Sequence, residues 1–124
     1  MEEQDERRAR ALARLAELGD EPTGAEFLER MGVLGDWIVD FAFGDVHTRP
    51  GLSARERELI LVAVLATLGS SDPQVHAHIR ALRAIDVAWN EIEETILQIT
   101  PYAGVPRAVN AMKVLRATQD EEQQ

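Results

Sequence analysis

The chain has no cysteine among its 124 residues. Disulfides, thiolate metal ligands and thiol redox catalysis are therefore excluded. Basic residues are outnumbered 13 to 22, for a net charge of −9. That balance argues against nucleic acid, because phosphate binding needs clustered Lys and Arg. Much of the acid lies at the two ends (Glu2, Glu3, Asp5, Glu6; Asp120, Glu121, Glu122), which leaves room for a basic pocket around Arg49 and Arg55. Long apolar runs are missing too. Leu59–Leu68, broken only by Thr67, spans about ten residues, too few to cross a bilayer. The chain is charged from residue 2 with no apolar h-region, so no secretory signal is expected. No segment alternates apolar and polar residues as a half-buried strand does. The expectation is a soluble, cytoplasmic, all-α protein that binds neither nucleic acid nor membrane. Its length suits one domain burying roughly two-thirds of its unfolded surface.

The helices announce themselves by stops and caps. Residues 2–18 start with acids, which suit the positive end of the helix dipole, and stop at Gly19. Their stripe of Ala9, Leu12, Leu15, Ala16 and Leu18 is thin, which suits a subunit interface or a fraying helix. Thr23-x-x-Glu26 reads as a capping box opening a second helix, with Phe27, Met31, Leu34, Ile38 and Phe41 on one face and Gly44 as its end. Trp37 and the phenylalanines read as core. Ser53-x-x-Glu56 is another capping box, and it starts a helix apolar on nearly every side, predicted as the wrapped centre of the core. Asp72-Pro73 opens a short helix on which His78 points inward and His76 outward. Further helices are predicted over Trp89–Tyr102, kinked or ended by Pro101, and after Gly104-Val105-Pro106. The count is about six helices. Residues 1–22 form an N-terminal helix and linker, 23–118 the main domain, and 119–124 a disordered tail.

An ordered set of motifs then stands out: FGDVHTRPGLSARERELILVAVLATLG from Phe43, His78-Ile79-Arg80-Ala81, Glu91-Ile92-x-Glu94 with Leu97-Gln98, and Tyr102-Ala103-Gly104-Val105-Pro106. Together they resemble the carboxymuconolactone decarboxylase family over Phe41–Leu115. The resemblance implies an all-α fold, assembly into homo-oligomers such as trimers or hexamers, and a small-molecule substrate. Family members resembling alkylhydroperoxidase D carry Cys-x-x-Cys where this chain reads Ser70-Ser71-Asp72-Pro73-Gln74, so that chemistry is not available here. The other branch resembles γ-carboxymuconolactone decarboxylase, which uses no cofactor and acts on a carboxylated lactone from aromatic catabolism. Phe43 and His47 stand where those enzymes usually show tryptophans, which reshapes the pocket and puts the substrate in question.

Such a decarboxylation needs an anchor for carboxylate and a proton for carbon, since the electrons left by departing CO₂ run into the substrate's own carbonyl. Arg49 is the candidate for a bidentate carboxylate clamp, or an arginine pinning the loop to Glu56 or Asp45. His78 is the candidate proton donor, or a buried histidine bonded to a backbone carbonyl. His47, Tyr102 and Phe43 are the candidate substrate-binding residues. Glu56 is explained by its cap, and Glu58 by solvent or an ion pair. No metal is expected, because His76 and His78 at i and i+2 face different sides of a helix. Besides the lactone decarboxylase, two readings stand: the same pocket acting on another enolisable small molecule, and a non-catalytic oligomer that binds a small molecule. The last predicts that Arg49 and His78 do not share a cavity.

Overall fold

The computed structural model describes residues 2–124. It is all-helical, with no strand among the described residues and seven α-helices instead of about six. Helix α1 (Glu2–Glu17) lies along a π-helical segment, Ile38–His47. Between them come two short helices, α2 (Ala25–Met31) and α3 (Val33–Trp37). The second half is a bundle of α4 (Ala54–Leu68), α5 (Asp72–Ala84), α6 (Trp89–Ala103) and α7 (Val105–Glu122).

Two apolar cores result. Val62, Val75, Ile79, Leu82, Ile92, Ile96 and Leu115 fill the bundle. Ala11, Leu15 and Leu18 of α1 pack on Val39 and Phe43, with Ala81 of α5 below them. Of the thin stripe of α1, Leu15 and Leu18 are covered within the protomer, while Ala9, Leu12 and Ala16 stay exposed; Arg8 and Arg7 tie the helix to Asp40 and Asp45. The Arg8 hydrogen bond holds the Asp40 carboxyl below its usual value.

Several local expectations fail for physical reasons. Thr23 does not cap α2; its side chain turns inward, its hydroxyl is unpaired, and Gly24 takes the N-cap position. The predicted long second helix breaks at Gly32, which adopts a positive φ of 59°. Gly44 does not end it, because the chain continues as a π-helix to His47. Trp37 and Phe41 lie on the surface, not in the core. The residues from 119 do not fall away as a tail. Helix α7 carries them to Glu122, where Glu121 pairs with His76 and Glu122 with Arg83. The Ser53–Glu56 capping box forms as read, with Ser53 Oγ accepting from the Glu56 amide at 3.1 Å and Glu56 accepting from the Ser53 amide at 2.8 Å. Helix α4 itself is not wrapped. Glu58, Val62 and Ala66 face the core, and Ile60, Val64 and Leu68 face out.

Candidate functional site

The π-helix, the start of α4 and the middle of α5 meet around one buried carboxylate. Bonding from i to i+5 makes a wider turn than 3.6 residues. Side chains four apart lie on one face of the segment, and Val39, Phe43 and His47 all point inward. On α4, Glu58 lies four residues before Val62 and eight before Ala66, on the single stripe that faces the core. It is completely buried. On α5, His78 lies one residue before buried Ile79 and reaches toward Glu58 from the other side.

Glu58 holds both histidines. Its Oε2 lies 3.1 Å from His47 Nε2 and its Oε1 lies 2.9 Å from His78 Nδ1. Burial pushes the Glu58 carboxyl up, but the hydrogen bonds from His47 and His78 outweigh that, and the net shift is downward from the ordinary 4.5. The group is thus an anion that accepts one N–H from each ring. On the far side of His47, Arg14 Nη1 lies 2.9 Å from Nδ1 and also donates to the His47 carbonyl. Phe43 stacks on the His47 ring, with centroids 5.0 Å apart. His78 differs from His47 in one respect that matters: its Nε2 makes no hydrogen bond to the described residues, and its side chain borders open space.

That space is a cleft of about 670 Å³. Phe27, Met31, Leu34, Phe41, Ile60 and Leu61 give it apolar walls, and His47, His78, Gln74 and Arg57 give it polar points. Arg57 is the cleft's cation; its Nε and Nη2 donate to the Leu52 and Arg49 carbonyls, which leaves Nη1 uncommitted. A dry concave site with a few convergent polar groups is a common form for a small-molecule pocket. No group of three or more His, Asp or Glu among the described residues is arranged to hold a metal ion, and no helix among them is long and apolar enough to cross a membrane.

Of the residues singled out from sequence, His78, His47 and Phe43 come together here. Arg49 and Tyr102 do not. Arg49 is exposed on the loop after the π-helix and offers the site only its carbonyl, to Arg57. Tyr102 is 86% exposed near the end of α6. Pro101 explains its position: the helix runs only two residues past the proline before Gly104 turns the chain. Glu58, Arg57 and Arg14 are not among the candidates the sequence offers for the site. For Glu58 the sequence allows solvent or an ion pair, and the second holds, with His47 and His78 as partners; its register with Val62 and Ala66 is the signal that marks it as buried. Arg57 stands two residues before Leu59 in a run of charge that looks solvated. Nothing local marks Arg14, whose partner is 33 residues away.

Residues 33–117, well over half of the chain, match the model of the carboxymuconolactone decarboxylase family. The chain is 40% identical over 77 residues to a 4-carboxymuconolactone decarboxylase of Acinetobacter baylyi, covering 62% of this chain and 57% of that protein. It is 30% identical over 82 residues to a nitrosuccinic acid decarboxylase of Metarhizium robertsii, covering 65% and 56%. An uncharacterized 15.0 kDa protein of Paracoccus denitrificans is 28% identical over 86 residues, covering 68% and 64%. The chain therefore spans less than two-thirds of the length of each of these relatives. The match takes in the π-helix, Arg57, Glu58 and His78, so the elements that build the cleft and the sequence likeness coincide: the chain belongs to the carboxymuconolactone decarboxylase family.

Proposed function

We propose that the protein is a cofactor-free decarboxylase of a small enolisable carboxylic acid, with His78 as the proton donor. The observation that carries this reading is the Glu58–His78 pair at 2.9 Å, with His78 Nε2 left unpaired at the wall of the cleft. Glu58 fixes the Nδ1 proton and so leaves Nε2 as the working atom. In the imidazolium form, Nε2–H faces the substrate. Arg57 Nη1 takes the carboxylate-anchoring role first assigned to Arg49. Loss of CO₂ breaks the bond between carbon and the carboxylate, and the electron pair passes through the conjugated system to the substrate's carbonyl. The resulting enolate is quenched at carbon by the proton from His78 Nε2, and His78 recovers its proton from water. Apolar walls keep the site dry, which strengthens the contacts of Arg57 and His78 with charge.

The relatives named as decarboxylases support the reaction class. The substrate in our reading carries one anchored carboxylate and an apolar body, because the cleft has a single cation and mostly hydrocarbon walls. That departs from a small dicarboxylic lactone, and it fits the replacement of usual tryptophans by Phe43 and His47. Arg49 lies outside the cleft, as the non-catalytic reading predicted, but Arg57 brings a cation to His78 in its place.

The test is release of CO₂ from γ-carboxymuconolactone, made fresh, and from enolisable monocarboxylic acids of increasing apolar bulk. Wild type is expected to act best on the bulkier monoacids. His78→Ala should cost roughly 10²–10⁴-fold in kcat, and Arg57→Ala should act mainly on KM. Equal rates for wild type and His78→Ala would remove His78 from its role. No release from any acid by folded protein would remove the reaction.

A further inference from the structure

A half-buried arginine of α1, outside the residues 33–117 that match the family, carries a buried donor with no partner. Arg14 puts Nη1 against His47 Nδ1 at 2.9 Å while its Nε is buried without a hydrogen bond. Among the described residues the acid that pairs with it is Glu17, at 3.7 Å and largely exposed. Both of its hydrogen bonds go to His47, one to the carbonyl and one to Nδ1, and the second calls for a reason.

The reason follows from donor chemistry. A guanidinium has N–H groups and no acceptor. His47 Nδ1 must therefore accept, so it carries no proton, and the ring is the neutral tautomer with its hydrogen on Nε2. That hydrogen donates to Glu58 Oε2 at 3.1 Å. His47 thus satisfies one oxygen of Glu58 without bringing a positive charge to it. The carboxylate's charge is left for the ring on its other oxygen, His78. The titratable and charged groups around His47 are Arg14 from α1, with Glu17 behind it, Glu58 and Arg57 from α4, and His78 from α5.

We infer that Arg14 is a positioning residue for His78, acting by holding His47 in its neutral, Nε2–H form so that Glu58 serves a single imidazolium. This deepens the proposed function and rests on its assignment of His78. Without Arg14, Nδ1 of His47 is free to take a proton, and the two rings then compete for one carboxylate as a coupled pair.

The test is a ¹⁵N NMR titration of the ring nitrogens in wild type, Arg14→Met and Arg14→Lys between pH 5 and 8. In wild type, His47 should show an unprotonated Nδ1 and a protonated Nε2 throughout, and only His78 of the pair should titrate. In Arg14→Met both rings should titrate, in two coupled steps. Arg14→Lys, again a donor without an acceptor, should restore the single step. A wild-type His47 that is doubly protonated, or protonated on Nδ1, overturns the inference even if Arg14→Met does not fold. So does an Arg14→Met spectrum unchanged from wild type. These readouts need no turnover, so failure to release CO₂ would count against the proposed reaction and leave the tautomer result to decide on Arg14. Where turnover is found, the pH profile of kcat should gain a second limb in Arg14→Met and lose it again in Arg14→Lys.

Discussion

Glu58 sets the behaviour of the site at the scale of single residues, and its pH dependence has a definite sign. Its carboxyl lies below the ordinary 4.5 in the folded protein. A group with a depressed folded value stabilises the fold above its unfolded value, and that contribution is lost as pH falls through the folded one. Stability should therefore decline below about pH 4.5. Glu58→Gln should decline less steeply, because the substitution removes the titration. At neutral pH the same variant should be about 1–3 kcal/mol less stable, since an amide cannot accept from both rings and one buried N–H loses its partner. Its kcat should fall roughly 10²-fold or more, because His78 keeps its place but loses the anion that holds its proton. Denaturant melts at several pH values check the first two, and an unchanged acid slope in Glu58→Gln would show that the carboxylate is not the titrating group. The sequence pointed to His78 directly, since its spacing from Val75 and Leu82 faces it inward. Glu58 escaped because α4 is apolar all round and so hides which stripe is buried. Arg57 escaped because it stands in a charged run that looks solvated, whereas in the fold it turns toward the cleft.

The π-helix is the element that brings Phe43 and His47 to the site. Their spacing of four would put them on one face with Val39 in a regular helix as well, so the wider turn changes the coil between them rather than the side they face. The sequence offers no local mark for the wider turn; the segment was read with a period of 3.6 and an end at Gly44. What the glycine does instead is allow contact. A Cβ at Gly44 would lie 2.8 Å from the Arg7 carbonyl oxygen of α1 and 3.2 Å from that of Val39. Backbone on both sides has little room to yield. Gly44→Ala is expected to push α1 away from the π-helix at a cost of about 1–3 kcal/mol, lowering Tm by roughly 4 °C for each kcal/mol. Because the push loosens the seat of Arg14 as well, His47 should begin to titrate in this variant. A melting curve and histidine spectrum identical to wild type would mean that α1 and the π-helix are less tightly joined than their packing indicates. By contrast, the Ser53–Glu56 cap was legible because its side chains and target amides are neighbours in sequence, although the same spacing at Thr23 and Glu26 makes no cap, since Thr23 turns inward.

For the whole molecule, the all-helical class and the bundle from α4 to α7 were legible, because each helix carries its own apolar period. The number of copies was not, and here the protomer itself supplies the argument. Ile60, Val64 and Leu68 form an i, i+4, i+8 stripe on the outer side of α4, at 48%, 46% and 67% exposure, with Leu97 of α6 also exposed. A single small domain rarely leaves so continuous an apolar face open to water. Ile60 also lines the cleft, so whatever covers the stripe would sit at the cleft's edge. A second copy of the chain is the occupant that the family resemblance implies. Light scattering at micromolar concentration should accordingly give a mass that is a multiple of 13.8 kDa. Val64→Lys with Leu68→Lys should shift the protein toward monomer, since neither charge could be buried unpaired at an interface without a cost of several kcal/mol. The substituted side chains point away from the bundle core, so helicity should be retained. If the monomer also loses activity, the cleft depends on its neighbour for closure; if it stays active, the site is complete within one chain. A wild-type mass of one chain at that concentration would remove the oligomer, and the apolar stripe would then need another cover.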